Sequence, residues 1–210
     1  MGFPGAIGCK DGSHIKIDTP REDPDSYLNR KKFHSIQMQV ICDDNRKIRV
    51  VFIGCPGSVH HARVFRNSPL CQNLGLWCKD WVILGDSAYP CLRNLLTPYK
   101  DTGSLSQVQK SFNKKLGHGR VLTEHTIGLL KQRFRQLYHI KSRDIKFICH
   151  FIRACCVLHN LCIDNNVVLD EAVDVGDEGN ENPFNEHVQD DGHNEVGQNY
   201  RNYVASLLDI

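Results

Sequence analysis

The sequence predicts an α/β domain in which a mixed sheet is flanked by helices. Three observations support this fold class: a buried-strand pattern at Trp81–Leu84, a hairpin pattern over residues 36–53, and helical periodicity after residue 120. Short apolar runs bounded by turn residues are typical of strands, and apolar residues at steps of three and four indicate a helix. At 210 residues, the chain is long enough for one domain with a sizeable core plus an extension.

The strand patterns lie in the first half of the chain. The first candidate strand is residues 5–9, and the segment 10–17 follows it. Residues 36–41 begin with strict alternation and, after a polar turn, residues 48–53 return as a second strand, so that the pair predicts a hairpin. A loop that runs into a short helix separates this hairpin from the next strand, Trp81–Leu84.

Two helices are predicted in the second half. Residues 100–120 are rich in Lys, Ser, Gly and Asn, which favours a flexible excursion, and residues 121–138 then show one apolar helical face. Residues 144–163 are apolar almost all round, but polar residues interrupt them too often for a membrane span, which needs about 20 uninterrupted apolar residues. We therefore expect residues 144–163 to form a buried core helix.

Charge divides the chain into two parts. Residues 1–163 contain 25 Lys and Arg against 12 Asp and Glu, a formal charge of +13, whereas residues 164–210 contain one Arg against 12 acids, a charge of −11. A basic globular part with an acidic tail is a common arrangement in proteins that bind nucleic acid. We expect one domain over residues 1–164 and a disordered acidic tail over residues 165–210, with a short amphipathic element in its last dozen residues.

Three acids occupy positions at which a sheet would bring side chains together. Asp11 follows the first strand, Asp86 follows the fourth, and Glu124 begins the first long helix. In the ribonuclease H topology, strands one and four are adjacent and a later helix packs across them. Three carboxylates so placed would hold two divalent metal ions by hard oxygen ligands, for cleavage of a phosphodiester. Spacing alone supports this weakly, since acids near strand ends are common in α/β proteins.

Seven segments between residues 5 and 163 add a more specific signal. They are GCKDGSHI (8–15), NRKKFHSIQMQVICD (29–43), PGSVHHARVFRNS (56–68), LGDSAYP (84–90), LLTPY (95–99), RVLTEHTIGLLKQRF (120–134) and ACCVLHNLC (154–162). In order and spacing they resemble the catalytic domain of PIF/Harbinger-type DDE transposases and their domesticated nuclease-like relatives. The resemblance implies a ribonuclease H-like fold over residues 1–164 and a catalytic triad of Asp11, Asp86 and Glu124 that binds Mg²⁺ or Mn²⁺.

Two features depart from the family pattern. The family usually has an aspartate where this chain has His61, which makes His61 a fourth candidate metal ligand, although imidazole is a softer ligand than carboxylate and suits Mg²⁺ poorly. Family members also carry an N-terminal helical region that recognises DNA, whereas this chain starts at the first catalytic strand. That start predicts a fragment, a partial gene model or a decayed copy.

The resulting expectation is a nuclear, metal-dependent DNA nuclease or strand-transfer enzyme. Its expected partners are DNA and a separate DNA-binding protein, with no membrane association. The main alternative is a domesticated or decayed domain that binds DNA or a protein without cleaving, because basic segments contact phosphates with or without catalysis.

Two weaker alternatives concern other chemistry. Gly85-Asp86-Ser87 resembles the nucleophile motif of GDSL-type esterases, for which Asp190 and His193 would be partners. Zinc bound by His60, His61, His159 and cysteines is the other, although no pair of these residues has a recognised ligand spacing. Ten cysteines without a CxxC pair, in a chain without a secretory signal pattern, predict reduced intracellular thiols.

Overall fold

One mixed sheet organises the residues that the computed structural model describes, 3–167 and 195–208. Its strand order is β3-β2-β1-β4-β5, and a sixth strand pairs with the far end of the first. The strands are β1 (Ala6–Ile17), β2 (Ser35–Cys42), β3 (Ile48–Pro56), β4 (Val82–Leu84), β5 (Leu95–Leu96) and β6 (His139–Ile140). The predicted α/β class and the β2–β3 hairpin are confirmed.

The first three strands are antiparallel to one another, whereas β4, β5 and β6 run parallel to the strands beside them. Strand β4 pairs with β1 only as far as Cys9, and β6 joins β1 at Lys16. Within the described part of the chain, residues 10–15 of β1 therefore have a strand on one side only. We call this interval the β1 opening.

The prediction that the first strand ends near Asp11 is wrong. Strand β1 continues to Ile17, because β2 pairs with it residue by residue from Cys9 to Lys16. Asp11 lies opposite Val40 in the middle of the strand. What ends near Asp11 is the neighbouring strand β4, so the residue still lies at the edge of a cleft.

Seven α-helices lie among the described residues, together with a short 3-10 helix at Arg135–Tyr138, and they cover both faces of the sheet. They are α1 (Pro24–Tyr27), α2 (His61–Arg66), α3 (Pro69–Gln72), α4 (Leu74–Cys78), α5 (Gln107–Arg133), α6 (Ile145–Asp164) and α7 (Glu195–Leu207). Helices α5 and α6 pack on one face, which we call the α5 face. The cluster around Phe65, Ile83 and Tyr89 covers the opposite face, together with α2 and α4.

The flexible excursion predicted for residues 100–120 is wrong over most of its length. Helix α5 begins at Gln107, where the Ser106 side chain accepts from the Gln109 backbone N–H and the Gln109 side chain accepts from the Ser106 N–H. This capping box satisfies two backbone donors at the start of the helix. The polar sequence is helical because Phe112 and Leu116, both fully buried, attach it to the core.

Helix α6 is a core helix on one side only. It begins after the capping residue Asp144, and Asn160 fastens it to β3 by two hydrogen bonds with the backbone of Ile48. Its buried face is Ile148, Ile152, Cys155, Cys156 and His159, whereas its outer face exposes Phe147, Val157, Leu158 and Leu161. By length and composition α6 is the one described helix apolar enough to span a membrane; its hydrogen bonds to β3 instead fit a core helix of an α/β domain.

Part of the predicted tail is folded. Helix α7 packs on α5 and β5, and Val204, Ala205 and Leu208 are buried in the same cluster as Phe112. It corresponds to the amphipathic element expected in the last dozen residues, so the disorder expected from residue 165 does not extend over residues 195–208. The remainder of that expectation, over residues 168–194, lies outside the described residues.

Candidate active site

Asp11 presents its side chain on the α5 face of the sheet, beside the β1 opening. Alternate residues of a strand point to opposite faces, and Cys9, two residues earlier, contacts α5. The Asp11 carboxylate accepts a hydrogen bond from the N–H of Gly12. The pKa of Asp11 is raised from 3.8 to about 6, chiefly by burial and in addition by the negative charges of Glu124 and Asp86, against the lowering effect of the Gly12 hydrogen bond and of Arg120.

Asp86 reaches the same cleft from the end of β4, as the sequence predicts. It lies two residues after Leu84, where β4 stops pairing with β1. The Ser87 backbone N–H and hydroxyl both donate to its Oδ1 atom. The exposed fraction of the Asp86 side chain is 21%, which leaves the carboxylate accessible from the cleft.

Glu124 is brought to the cleft by an unusually close approach of α5 to the sheet. A Cβ atom at Gly119 would lie 2.5 Å from the Sγ atom of Cys9, so only glycine fits at this contact. One turn later, the Thr123 hydroxyl donates to the Cys9 carbonyl. These two contacts hold the middle of α5 against β1, and Glu124 follows directly, half-exposed at the cleft. The prediction that Glu124 begins a helix is wrong, because α5 already begins at Gln107.

Arg120 links two of the three acids. Its Nη1 atom lies 3.4 Å from Oδ1 of Asp86, and its Nη2 atom lies 3.4 Å from Oε1 of Glu124. The charges of all three groups also act on the Asp11 carboxyl. The structure therefore pairs two of the predicted acids with one cationic side chain and leaves Asp11 near enough for their charges to act on it. Arg120 was not predicted as a site residue, although it lies in the segment RVLTEH.

The three acids suit a divalent ion by their chemistry, since carboxylate oxygens are hard ligands. The raised pKa of Asp11 shows a buried acid that the present contacts compensate only in part. In this conformation, however, no group of three His, Cys, Asp or Glu side chains within residues 3–167 and 195–208 is close enough to bind a metal ion. Arg120 provides the positive charge between Asp86 and Glu124 instead.

His61 lies on the other face of the sheet. A Cβ atom at Gly12 would approach its Nδ1 atom to 2.6 Å, and Gly12 alternates with Asp11 along β1. The His61 ring packs edge-on against His14 at 5.3 Å between centroids. Its pKa is lowered to about 4, chiefly by burial and in addition by the charges of His14 and Lys10. The charge of Asp86 acts in the opposite direction and raises the pKa of His61, so His61 neighbours one of the three acids from the other face of the sheet. Its role as a metal ligand stays a prediction.

A buried lysine beside the cleft also escaped the sequence analysis. Lys10 is 2% exposed, and its Nζ atom lies 3.6 Å from the centroid of the Tyr89 ring without a hydrogen-bond partner among the described residues. Burial lowers the pKa of Lys10 well below its usual value and raises that of Tyr89 well above its usual value. The sequence pattern did not indicate this pair of side chains, because a position as buried as that of Lys10 is normally apolar.

The two weaker alternatives receive no support from the geometry. His159 lies on α6, where its Nε2 atom is hydrogen-bonded to the carbonyl of Arg46. His60 and His61 lie elsewhere, at the start of α2. Ser87 lies beside Asp86, but the esterase partners proposed for it, Asp190 and His193, lie outside the described residues.

Comparison with known proteins now bears on this site. Residues 10–160 match the family described as DDE superfamily endonuclease. The chain belongs to this family. The matched interval contains all three acids and Arg120. Members of the family typically use divalent metal ions, which agrees with the carboxylate chemistry of the cleft.

The endonuclease domain is similar to proteins from animals and plants. It is 32% identical over 170 residues to Putative nuclease HARBI1 of Mus musculus and 30% identical over 171 residues to the Homo sapiens protein of the same name, in each case covering 79% of this chain and 48% of the relative. It is 28% identical over 183 residues to Protein ALP1-like of Arabidopsis thaliana, covering 78% of this chain and 44% of that protein. The domain therefore spans about half the length of these relatives. No solved structure matches it.

Proposed function

We propose that the chain is the catalytic domain of a Harbinger-type, metal-dependent DNA endonuclease that cleaves or transfers phosphodiester bonds in the nucleus. One observation carries the proposal: acids from β1, from the end of β4 and from α5 meet at a single cleft beside the β1 opening. The match to the endonuclease family supports the same reading.

The strand arrangement supports a ribonuclease H-like fold. Three antiparallel strands are followed by two parallel ones, in the order β3-β2-β1-β4-β5. Asp11 and Asp86 then come from adjacent strands, and Glu124 comes from the helix that packs across them. This is the placement from which the sequence predicted a joint metal site.

Each of the three acids has a distinct position in the proposed reaction. Asp11 is held rigidly in the middle of β1, whereas Asp86 and Glu124 are more exposed and border the entrance. All three would hold divalent ions by carboxylate oxygens. Such ions would activate a water molecule, or the 3′-hydroxyl of a DNA strand, for attack on phosphorus and would stabilise the leaving oxygen of the phosphodiester.

The charge of the domain supports DNA as the substrate. Residues 1–163 carry a formal charge of +13, which attracts phosphates regardless of base sequence. A separate DNA-binding protein would supply the sequence recognition that phosphate contacts do not provide. We place the catalytic domain at residues 1–164 and the acidic segment after it. Helix α7, which follows the acidic segment, is included in the domain because its apolar residues are part of the core.

Nicking of supercoiled plasmid DNA tests the proposal. The purified chain should nick the plasmid with Mg²⁺ or Mn²⁺ and not with excess chelator, and Asp86→Asn should reduce nicking to background. Asp80→Asn is the matched control, because Asp80 is an exposed aspartate just before β4 and outside the cleft. Equal nicking by the Asp86→Asn variant and the unaltered chain would contradict the proposal.

A second function, DNA or protein binding without cleavage, is favoured by one observation. Arg120 lies between two of the acids, where it occupies the carboxylate oxygens that a metal ion would need. Retention of plasmid DNA by the chain, with no nicking under any metal condition, would select this function.

A further inference from the structure

The Arg120 side chain has the position of a counter-ion to the candidate metal ligands. It lies one helical turn before Glu124 on α5, and its two terminal nitrogens lie 3.4 Å from Asp86 and 3.4 Å from Glu124. A planar guanidinium can face two carboxylates at once, which a lysine ammonium does less well. Residues from two different elements are thus drawn together by one side chain.

The same carboxylate oxygens would be needed to bind a divalent ion. A cation and a guanidinium cannot both occupy the space between Asp86 and Glu124, because like charges repel and each oxygen has few lone pairs. Arg120 is 34% exposed, so its side chain has room to turn toward solvent at the cleft.

We propose that Arg120 is a built-in counter-ion that holds Asp86 and Glu124 together without metal and is displaced when a divalent ion binds. Metal binding therefore breaks the two Arg120 contacts. The released guanidinium, at the mouth of the cleft, becomes available to a phosphate of the substrate. This inference rests on the proposed function, and it assigns Arg120 a positioning role that the comparison with relatives does not give.

Direct measurement of Mn²⁺ binding tests the inference without any assay of cleavage. The free Mn²⁺ signal in electron paramagnetic resonance gives the dissociation constant for the purified chain and its variants. Arg120→Gln should bind Mn²⁺ about 2- to 30-fold more tightly, the range expected when two partly exposed ion pairs no longer compete. Arg120→Lys, which keeps the charge but not the planar fork, should have an affinity between those of Arg120→Gln and the unaltered chain.

Arg49→Gln is the matched control. Arg49 also pairs with a carboxylate, at 2.6 Å from Asp43, but it lies on β3, away from the cleft. Its removal changes the net charge as much as Arg120→Gln does and should leave Mn²⁺ affinity unchanged. Equal tightening by both variants would show a general charge effect and overturn the inference.

The remaining outcomes separate the two proposals. If Arg120→Gln binds Mn²⁺ no more tightly than the unaltered chain, whereas Asp86→Asn loses binding, the inference fails and the proposed metal site stands. If Asp86→Asn and Glu124→Gln bind as the unaltered chain does, the proposed site fails, and the inference fails with it. Circular dichroism verifies that each variant is folded, and Arg120→Ala replaces Arg120→Gln if the latter is not.

Discussion

Replacing Gly119 by alanine tests how closely α5 approaches the sheet. The added Cβ would lie 2.5 Å from Sγ of Cys9 and 3.1 Å from Cδ1 of Leu84. Both side chains are fully buried in the strands below and have no room to retreat. Overpacking of this kind costs about 1–3 kcal/mol, whereas the better helix propensity of alanine returns about 1 kcal/mol. We expect a net loss of about 1 kcal/mol in the free energy of unfolding.

Two other glycines of α5 are internal controls. No atom lies within 4 Å of a Cβ built at Gly117 or Gly128. Alanine at either position should therefore stabilise the protein by up to about 1 kcal/mol. Urea unfolding followed by circular dichroism measures all three variants, and the double variant with Cys9→Ala should remove most of the difference because it removes the Sγ atom. If Gly119→Ala stabilised the chain as much as Gly117→Ala, the close contact between α5 and β1 would not exist.

Three further predictions concern charge. Asp11→Asn should raise the free energy of unfolding by about 1–3 kcal/mol at pH 7.5 but hardly at pH 4. The reason is that the pKa of Asp11 is raised from 3.8 to about 6, so the unaltered protein loses stability as the pH rises through that value. Calorimetry at both pH values measures the gain, and equal gains would contradict the prediction. His61→Ala should leave Mn²⁺ affinity unchanged, since His61 lies across β1 from Asp11; weaker binding would establish it as a ligand. Replacing the nine acids from Asp170 to Asp191 by amides, with α7 kept, should strengthen nonspecific DNA binding at low salt and steepen its salt dependence. If the variant and the unaltered chain had equal DNA affinities and equal salt slopes, this segment would not compete with DNA.

The sequence predicted those elements whose signal is local. The β2–β3 hairpin and helix α6 follow from apolar alternation and from a long apolar run, and both are confirmed. The extent of β1 could not be predicted, because Gly8, Asp11 and Gly12 interrupt its strand pattern and only the pairing with β2 carries it to Ile17. The start of α5 was missed for a similar reason, since its Lys- and Gly-rich first half is held helical by distant core contacts.

The site was predictable as a set of residue types and less so as a geometry. Asp11, Asp86 and Glu124 were identified from their positions after strands and at a helix. Which face His61 would occupy depends on the register of β1, and the position of Arg120 depends on how near α5 lies to Cys9. Both are properties of packing between elements far apart in the chain, on which a single sequence is silent.

The β1 opening also sets a length. From Cys9, where β4 stops pairing, to Lys16, where β6 begins, β1 advances by seven residues, or about 23 Å at a strand rise of about 3.3 Å per residue. Ser13 and Ile15 are buried within this length, and Lys131 of α5 donates a hydrogen bond to the His14 carbonyl. A helix side chain therefore covers part of the edge of β1 that no neighbouring strand covers.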